Sequence, residues 1–156
     1  MASNYDNTDL YWSWNGDYAF AAGDLKDTST DALRSLMQDI HTVCASSMRD
    51  WENYPGLGAT IDDFLGEPNN ASTAARVSDR LKISLVAAGV ANSNDLHIKI
   101  VPVHMNKVLI VIGIDAIATA FNTLSPDDKL VVTFVFDSVE QQMTFLDQTP
   151  QLIPQH

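Results

Sequence analysis

The chain has 156 residues, 46% of them hydrophobic, and a formal net charge of −11 from 20 acidic and nine basic side chains. That supplies enough apolar material for one core and too little chain for a second full domain. The acidity argues against nucleic acid or an anionic membrane as a partner, because both need clustered Lys and Arg to displace counterions, and here the basic residues are scattered.

Residues 1–9 read as an extension. Asp6 and Asp9 stand where a secretory leader would be basic and then apolar, so no leader is expected. Next, Leu10, Trp12 and Trp14 alternate with Tyr11 and Ser13 ahead of Asn15-Gly16, a pair suited to the two positive φ angles of a type I′ turn. A short N-terminal hairpin is predicted, its aromatic residues serving either as a flap over the core or as an exposed patch for a neighbouring subunit.

Leu33, Leu36, Met37, Ile40, Val43 and Cys44 recur at the spacing of one helical face. Thr28 to Thr30 offer capping hydroxyls, and Asp31 and Asp39 lie toward the half of the helix where negative charge costs least. The helix is expected to end near Arg49, since Tyr54-Pro55-Gly56-Leu57-Gly58 cannot continue it. A structured loop follows, then a helical turn over Ile61 to Leu65 stopped by Gly66. A second helix, Thr73 to Ala88, shows Ala74, Val77, Leu81, Leu85 and Ala88 as one stripe, with Gly89 as a left-handed cap.

Beyond it the period changes. Leu96 to Val103 and the β-branched run Val108 to Ile114 read as strands joined through Met105-Asn106-Lys107, and Pro102 points to a free edge or a bulge. The longest apolar stretch, Val108 to Ala118, is broken by Gly113 and Asp115 and falls short of the roughly 20 residues that span a bilayer. Ser125-Pro126-Asp127-Asp128 marks a turn before a third strand, Leu130 to Phe136, and Met143 to Leu146 reads as a fourth. The expectation is an α+β fold: a two-layer sandwich with an N-terminal hairpin, two main helices and an antiparallel three- to four-stranded sheet. It forms a single domain over 1–156, with a proline-containing extension at 147–156.

No chemistry-bearing motif stands out. The four histidines, His41, His97, His104 and His156, lack metal-ligand spacing, and Cys44 falls on the apolar helix face. No phosphate loop, dinucleotide fingerprint or nucleophile elbow occurs, so neither cofactor nor metal is expected. The one catalytic alternative is acidic: Asp50, Glu52, Asp62, Asp63 and Glu67 lie near Trp51 and Tyr54, the residue types of a peptidoglycan hydrolase with paired carboxylates.

Gln38, the run Arg49-Asp50-Trp51-Glu52-Asn53-Tyr54-Pro55-Gly56-Leu57-Gly58-Ala59, Phe64-Leu65-Gly66, Arg80 on the second helix and the hydrophobic sheet carry a resemblance. From about Asp17 to Phe136 the chain is similar to the baseplate-wedge, or sheath-initiator, family of contractile phage tails, tailocins and type VI secretion baseplates. Some members of that family are labelled tail lysozymes. Many have Gly-Glu-Arg, three residues, then Pro-x-x-Gly; aligned on Pro55 and Gly58, this chain keeps the acid as Asp50 and has Trp51 in place of the arginine. Tryptophan cannot fork onto a carboxylate, so only the neighbouring Arg49 could supply that contact.

The resemblance implies a non-catalytic structural protein of the virion tail baseplate, assembled in the host cytoplasm. It implies partners among the other baseplate wedge proteins and the tail sheath protein. The wedge contact would use Arg49, Asp50, Trp51, Tyr54, Pro55 and Gly58. Sheath assembly would start by strand pairing at the C-terminal β region, with Val132, Phe134 and Phe136.

Overall fold

A computed structural model describes residues 9–12, 17–29, 32–64, 67–68, 70–115, 129–137, 139–140, 142–145 and 151–153. The Asn15-Gly16 turn, Thr30 and Asp31 at the helix start, Leu65-Gly66, the Ser125-Pro126-Asp127-Asp128 turn and Leu146 lie outside the described residues.

The N-terminal segment doubles back on itself. Isolated bridges join Leu10 to Asp27 and Trp12 to Tyr18, and between them runs a hairpin of β1 (Phe20–Ala21) and β2 (Asp24–Leu25). Its turn is Ala22-Gly23, with φ of 52° and 85°, the pair of positive angles whose twist matches that of antiparallel strands. Sequence inspection missed this turn because alanine at its first position gives no composition signal.

The aromatic residues of this segment divide between two environments. Tyr11 and Trp12 are half-buried on the first helix, whereas Tyr18 and Phe20 are exposed. Two cations lie over the Tyr11 ring, Lys26 Nζ 4.1 Å and the Arg34 guanidinium 4.5 Å from its centroid. Gln38 then treats the segment as a neighbouring strand would: its side-chain amide donates to the Leu10 carbonyl at 3.0 Å, and its oxygen accepts from the Trp12 amide at 3.2 Å. Arg34 donates to the Trp12 carbonyl, and the Trp12 ring meets His41 edge-on at 5.2 Å. Burial, and then the Arg34 charge, hold the His41 imidazole below its ordinary range.

Helix α1 (Ala32–Ala45) stops short of Arg49 for a hydrogen-bonding reason. The Val43 carbonyl, which Ser47 N–H would claim in a longer helix, accepts from Ala59 at 2.9 Å, while Ser47 N–H donates to Asp50 Oδ2 at 2.7 Å. A 3₁₀ turn spans Ile61–Phe64, and α2 (Ala71–Ala87) begins at Asn70, whose side chain accepts from Thr73 N–H. At its other end Gly89 (φ 77°) donates to the Val86 carbonyl and Val90 to that of Leu85. Those two bonds make a Schellman cap, with Val90 and Leu85 both buried as its hydrophobic contact.

The sheet contains β3 (Leu96–His104), β4 (Lys107–Ile114), β5 (Lys129–Asp137), β6 (Gln142–Phe145) and β7 (Gln151–Ile153), all neighbours antiparallel. Its order is β3-β4-β5-β6, and β7 also pairs with β5. β6 lies along Phe134–Asp137 and β7 along Lys129–Val131, so the two share one side of β5 end to end. The α+β sandwich thus has one strand more than expected, because Gln151–Ile153 inside the supposed extension pairs with the sheet. Pro102 sits on the outer strand β3 beside a register shift, so it marks both an edge and a bulge.

The even-numbered residues of β4 and β5, with Leu96 of β3, face the helices. Leu96, Ile110, Ile112, Ile114, Leu130, Val132 and Phe134 are buried with Leu36, Met37 and Ile40 of α1 and Val77, Leu81 and Leu85 of α2. Cys44 is fully buried there, and its thiol is pushed far up by desolvation. No helix among the described residues is long and apolar enough to cross a membrane.

Candidate functional site

Between α1 and the 3₁₀ turn the chain makes a loop, Ser46 to Thr60, closed by its own hydrogen bonds. At its neck Thr60 N–H donates to the Ser46 carbonyl at 3.1 Å, and Met48 N–H to Thr60 Oγ1 at 2.8 Å. Across its middle Arg49 N–H donates to the Pro55 carbonyl at 3.0 Å, and Tyr54 N–H to that of Trp51 at 3.1 Å. Asp50 folds back onto Ser47 N–H. Arg49 and Thr60 hold left-handed φ angles of 77° and 51°, strain that persists because these bonds over-determine the backbone.

Gly58 fixes how closely the loop approaches the helix end. Its φ is 117°, and a Cβ there would lie 2.7 Å from the Ser47 carbonyl carbon and 2.8 Å from the Ser46 oxygen. Only glycine fits both the angle and the space. Behind it, Ser84 Oγ of α2 donates to the Gly58 carbonyl at 3.1 Å in a buried setting.

Arg49, Asp50, Trp51, Tyr54 and Pro55 are brought together on the exposed rim of this loop, whereas Gly58 lies beneath it. Trp51 serves two purposes: its indole N–H donates to Ser46 Oγ at 3.2 Å over the helix end, and 44% of the residue remains exposed. Tyr54 is 69% exposed and Met48, which the sequence reading passed over, 49%. Met48 follows the last stripe position of α1, and an isolated methionine there carries no pattern that would single it out.

The C-terminal residues of the expected site do not join this surface. Val132 and Phe134 are buried in the core, and Phe136 packs partly against it. Their strand is paired with β4 on one side and with β6 and β7 on the other. The expectation of an available edge at Leu130 to Phe136 is corrected accordingly: alternate residues of this run are apolar because they form the core. The outer strands of the sheet are β3 on one side and β6 with β7 on the other.

The acidic residues divide among several partners. Glu67 accepts from Arg76 at 2.6 Å and Asp63 lies 3.7 Å from Arg80, the two arginines flanking the Phe64 ring. Glu52 is exposed on the loop, and Asp62 lies in the 3₁₀ turn. No group of three or more His, Cys, Asp or Glu among the described residues could hold a metal ion.

Asp39 is the titratable group that the sequence undervalued. Because α1 ends at Ala45, Asp39 lies past the middle of the helix and not in its favourable N-terminal half. It lines a groove beside Tyr54 and Leu57, and burial pushes its carboxyl up to about 6. Comparisons of the chain with protein-family models, with curated proteins and with solved structures find no match.

Proposed function

We propose that this protein is a non-catalytic assembly subunit, a structural component of a contractile-tail baseplate, which docks on neighbouring wedge proteins through the Ser46 to Thr60 loop. The observation that carries this reading is the pairing of a hydrogen-bonded backbone with exposed Trp51, Tyr54 and Met48. Aromatic side chains on a pre-ordered loop lose little entropy on docking, which is what interface anchors need. The resemblance around Asp50, Pro55 and Gly58 supplies the kind of machine; the acidic surface suits partners with basic patches. For sheath initiation the reading uses the outer edge of β6 and β7, since β5 has its hydrogen bonds engaged on both sides.

The test is capture of purified wedge and sheath proteins encoded beside this chain. Trp51→Ala combined with Tyr54→Ala is expected to abolish wedge capture while leaving the far-ultraviolet circular dichroism unchanged. A chain ending at Asp137 is expected to lose sheath capture alone. Undiminished wedge capture by the double variant would sink the docking loop, and clearing of a peptidoglycan suspension by the intact protein would favour the hydrolase alternative.

A further inference from the structure

Strands β4 and β5 are apolar on both faces. Their even-numbered residues from Ile110 to Ile114 and from Leu130 to Phe134 are 0–5% exposed beneath the helices. On the opposite side the odd-numbered residues Leu109, Val111, Val131 and Val135, with Val101 beside them on β3, form a half-buried aliphatic patch. A sheet with one solvated face alternates apolar with polar residues, whereas near-continuous hydrophobic strands are the pattern of a sheet covered on both sides.

Four charges frame this patch, and the two strands place them alike. β4 begins at Lys107 and is followed by Asp115, and β5 begins at Lys129 and ends at Asp137. Because the strands are antiparallel with Lys107 opposite Asp137, each end of the patch carries one lysine and one aspartate. Lys107 Nζ lies 3.3 Å from Asp137 Oδ2, and Lys129 Nζ 3.2 Å from Asp115 Oδ1. At the second end Lys129 leans over Gly113, where a Cβ would come within 2.7 Å of its Cε, and His97 Nε2 meets Asp115 at 2.7 Å from the other flank. The signs therefore alternate around the four corners.

We infer that this face pairs with the same face of a second copy, sheet on sheet, about a twofold axis that runs along the strands between the two sheets. Such an axis lays β4 of one copy on β5 of the other, which brings Lys107 over Asp137 and Asp115 over Lys129 at all four corners. The pairs within each chain are kept, and every corner charge gains a second neighbour of opposite sign. An axis across the strands would match the corners too, but it would set Lys99, midway along the face on β3, against its own copy. The patch is about 27 Å long and, over four strand positions, about 19 Å wide. Two copies would bury on the order of 1,000 Å² in all, the lower end for specific association, so the dimer is reversible. The loop from Ser46 to Thr60 takes no part in it.

Sedimentation velocity of the full-length protein from about 1 μM to about 1 mM measures the association. A monomer–dimer equilibrium with a dissociation constant of roughly 10–100 μM is expected. Thr133→Lys puts a charge in the middle of the patch, beside Val111, and is expected to weaken the dimer at least about tenfold with unchanged circular dichroism. Asp115→Lys with Asp137→Lys makes all four corners positive, and Lys107→Asp with Lys129→Asp makes them all negative. Each double variant is expected to stay monomeric alone and to form a heterodimer when the two are mixed. Thr133→Lys added to either should abolish that heterodimer, which separates corner matching from simple attraction of net charge. A monomer at every concentration would overturn the inference, the face then being covered by residues of its own chain or kept for a different protein. So would a dimer indifferent to Thr133→Lys, or one lost in the combined Trp51→Ala and Tyr54→Ala variant, which would place the contact on the loop.

Discussion

Ser84 of α2 donates a buried hydrogen bond to the carbonyl of Gly58, 26 residues earlier, and so fastens the Ser46 to Thr60 loop to the helix that lies behind it. Gly58→Ala forces a Cβ against the Ser46 and Ser47 backbone, atoms that cannot swing aside as a side-chain end could. A loss of at least about 2 kcal/mol in urea unfolding is expected. Ser84→Ala leaves the carbonyl without that donor and is expected to cost about 1 kcal/mol. Equal stability of Gly58→Ala and the parent would show that the loop does not need this close approach.

The N-terminal segment should come loose from α1 when Gln38 is shortened. In Gln38→Ala both the Leu10 carbonyl and the Trp12 amide lose their side-chain partner. A cost of about 1–2 kcal/mol is expected, with faster hydrogen exchange at Trp12 and little change at the core strands. Gln38→Glu keeps the acceptor for Trp12 and loses the donor for Leu10, so it should fall between the two. Uniform acceleration across the sheet would instead mean that the segment unfolds only with the whole domain.

Asp39 sets an acid-side dependence of stability whose sign is opposite to that of a salt-bridged carboxylate. Burial raises its folded-state pKa to about 6, above the ordinary carboxylate value of 3.8, so between these limits the native state binds more protons than the unfolded chain. Its contribution therefore makes stability fall as pH rises from about 4 to 6, by about 1 kcal/mol once partial solvent screening is allowed for. Asp39→Asn should flatten that segment of the curve and raise stability at neutral pH. Guanidinium unfolding of both proteins across the interval measures it; parallel curves would refute the assignment.

Periodicity made the helices and the sheet legible. The stripe through Leu36, Ile40 and Val43 and that through Val77, Leu81 and Leu85 are buried as their spacing demanded, and Pro102 announced its edge and bulge. The end of α1 was less legible, because it depends on Ala59 N–H reaching Val43, a contact between residues 16 positions apart. The loop's glycine and aromatic residues could be picked out by type, yet their division into rim and base needed the fold. The burial of Val132 and Phe134 was illegible for a related reason: a β-branched run reads the same whether its strand lies inside the sheet or at its margin. The burial of Asp39 could not be read because a single acid in an amphipathic helix carries no motif, and the groove it lines is built from three separate segments.

The way β6 and β7 divide one flank of β5 has a consequence for self-association. A long, continuous outer strand rich in β-branched residues would offer itself to a second molecule as a template for aggregation. Here that flank is composed of pieces of four and three residues, and the opposite flank carries Lys99, a proline without an amide hydrogen and a bulge. Among the described residues neither side presents an unbroken ladder, so neither offers a second copy the long continuous template that edge-to-edge growth needs.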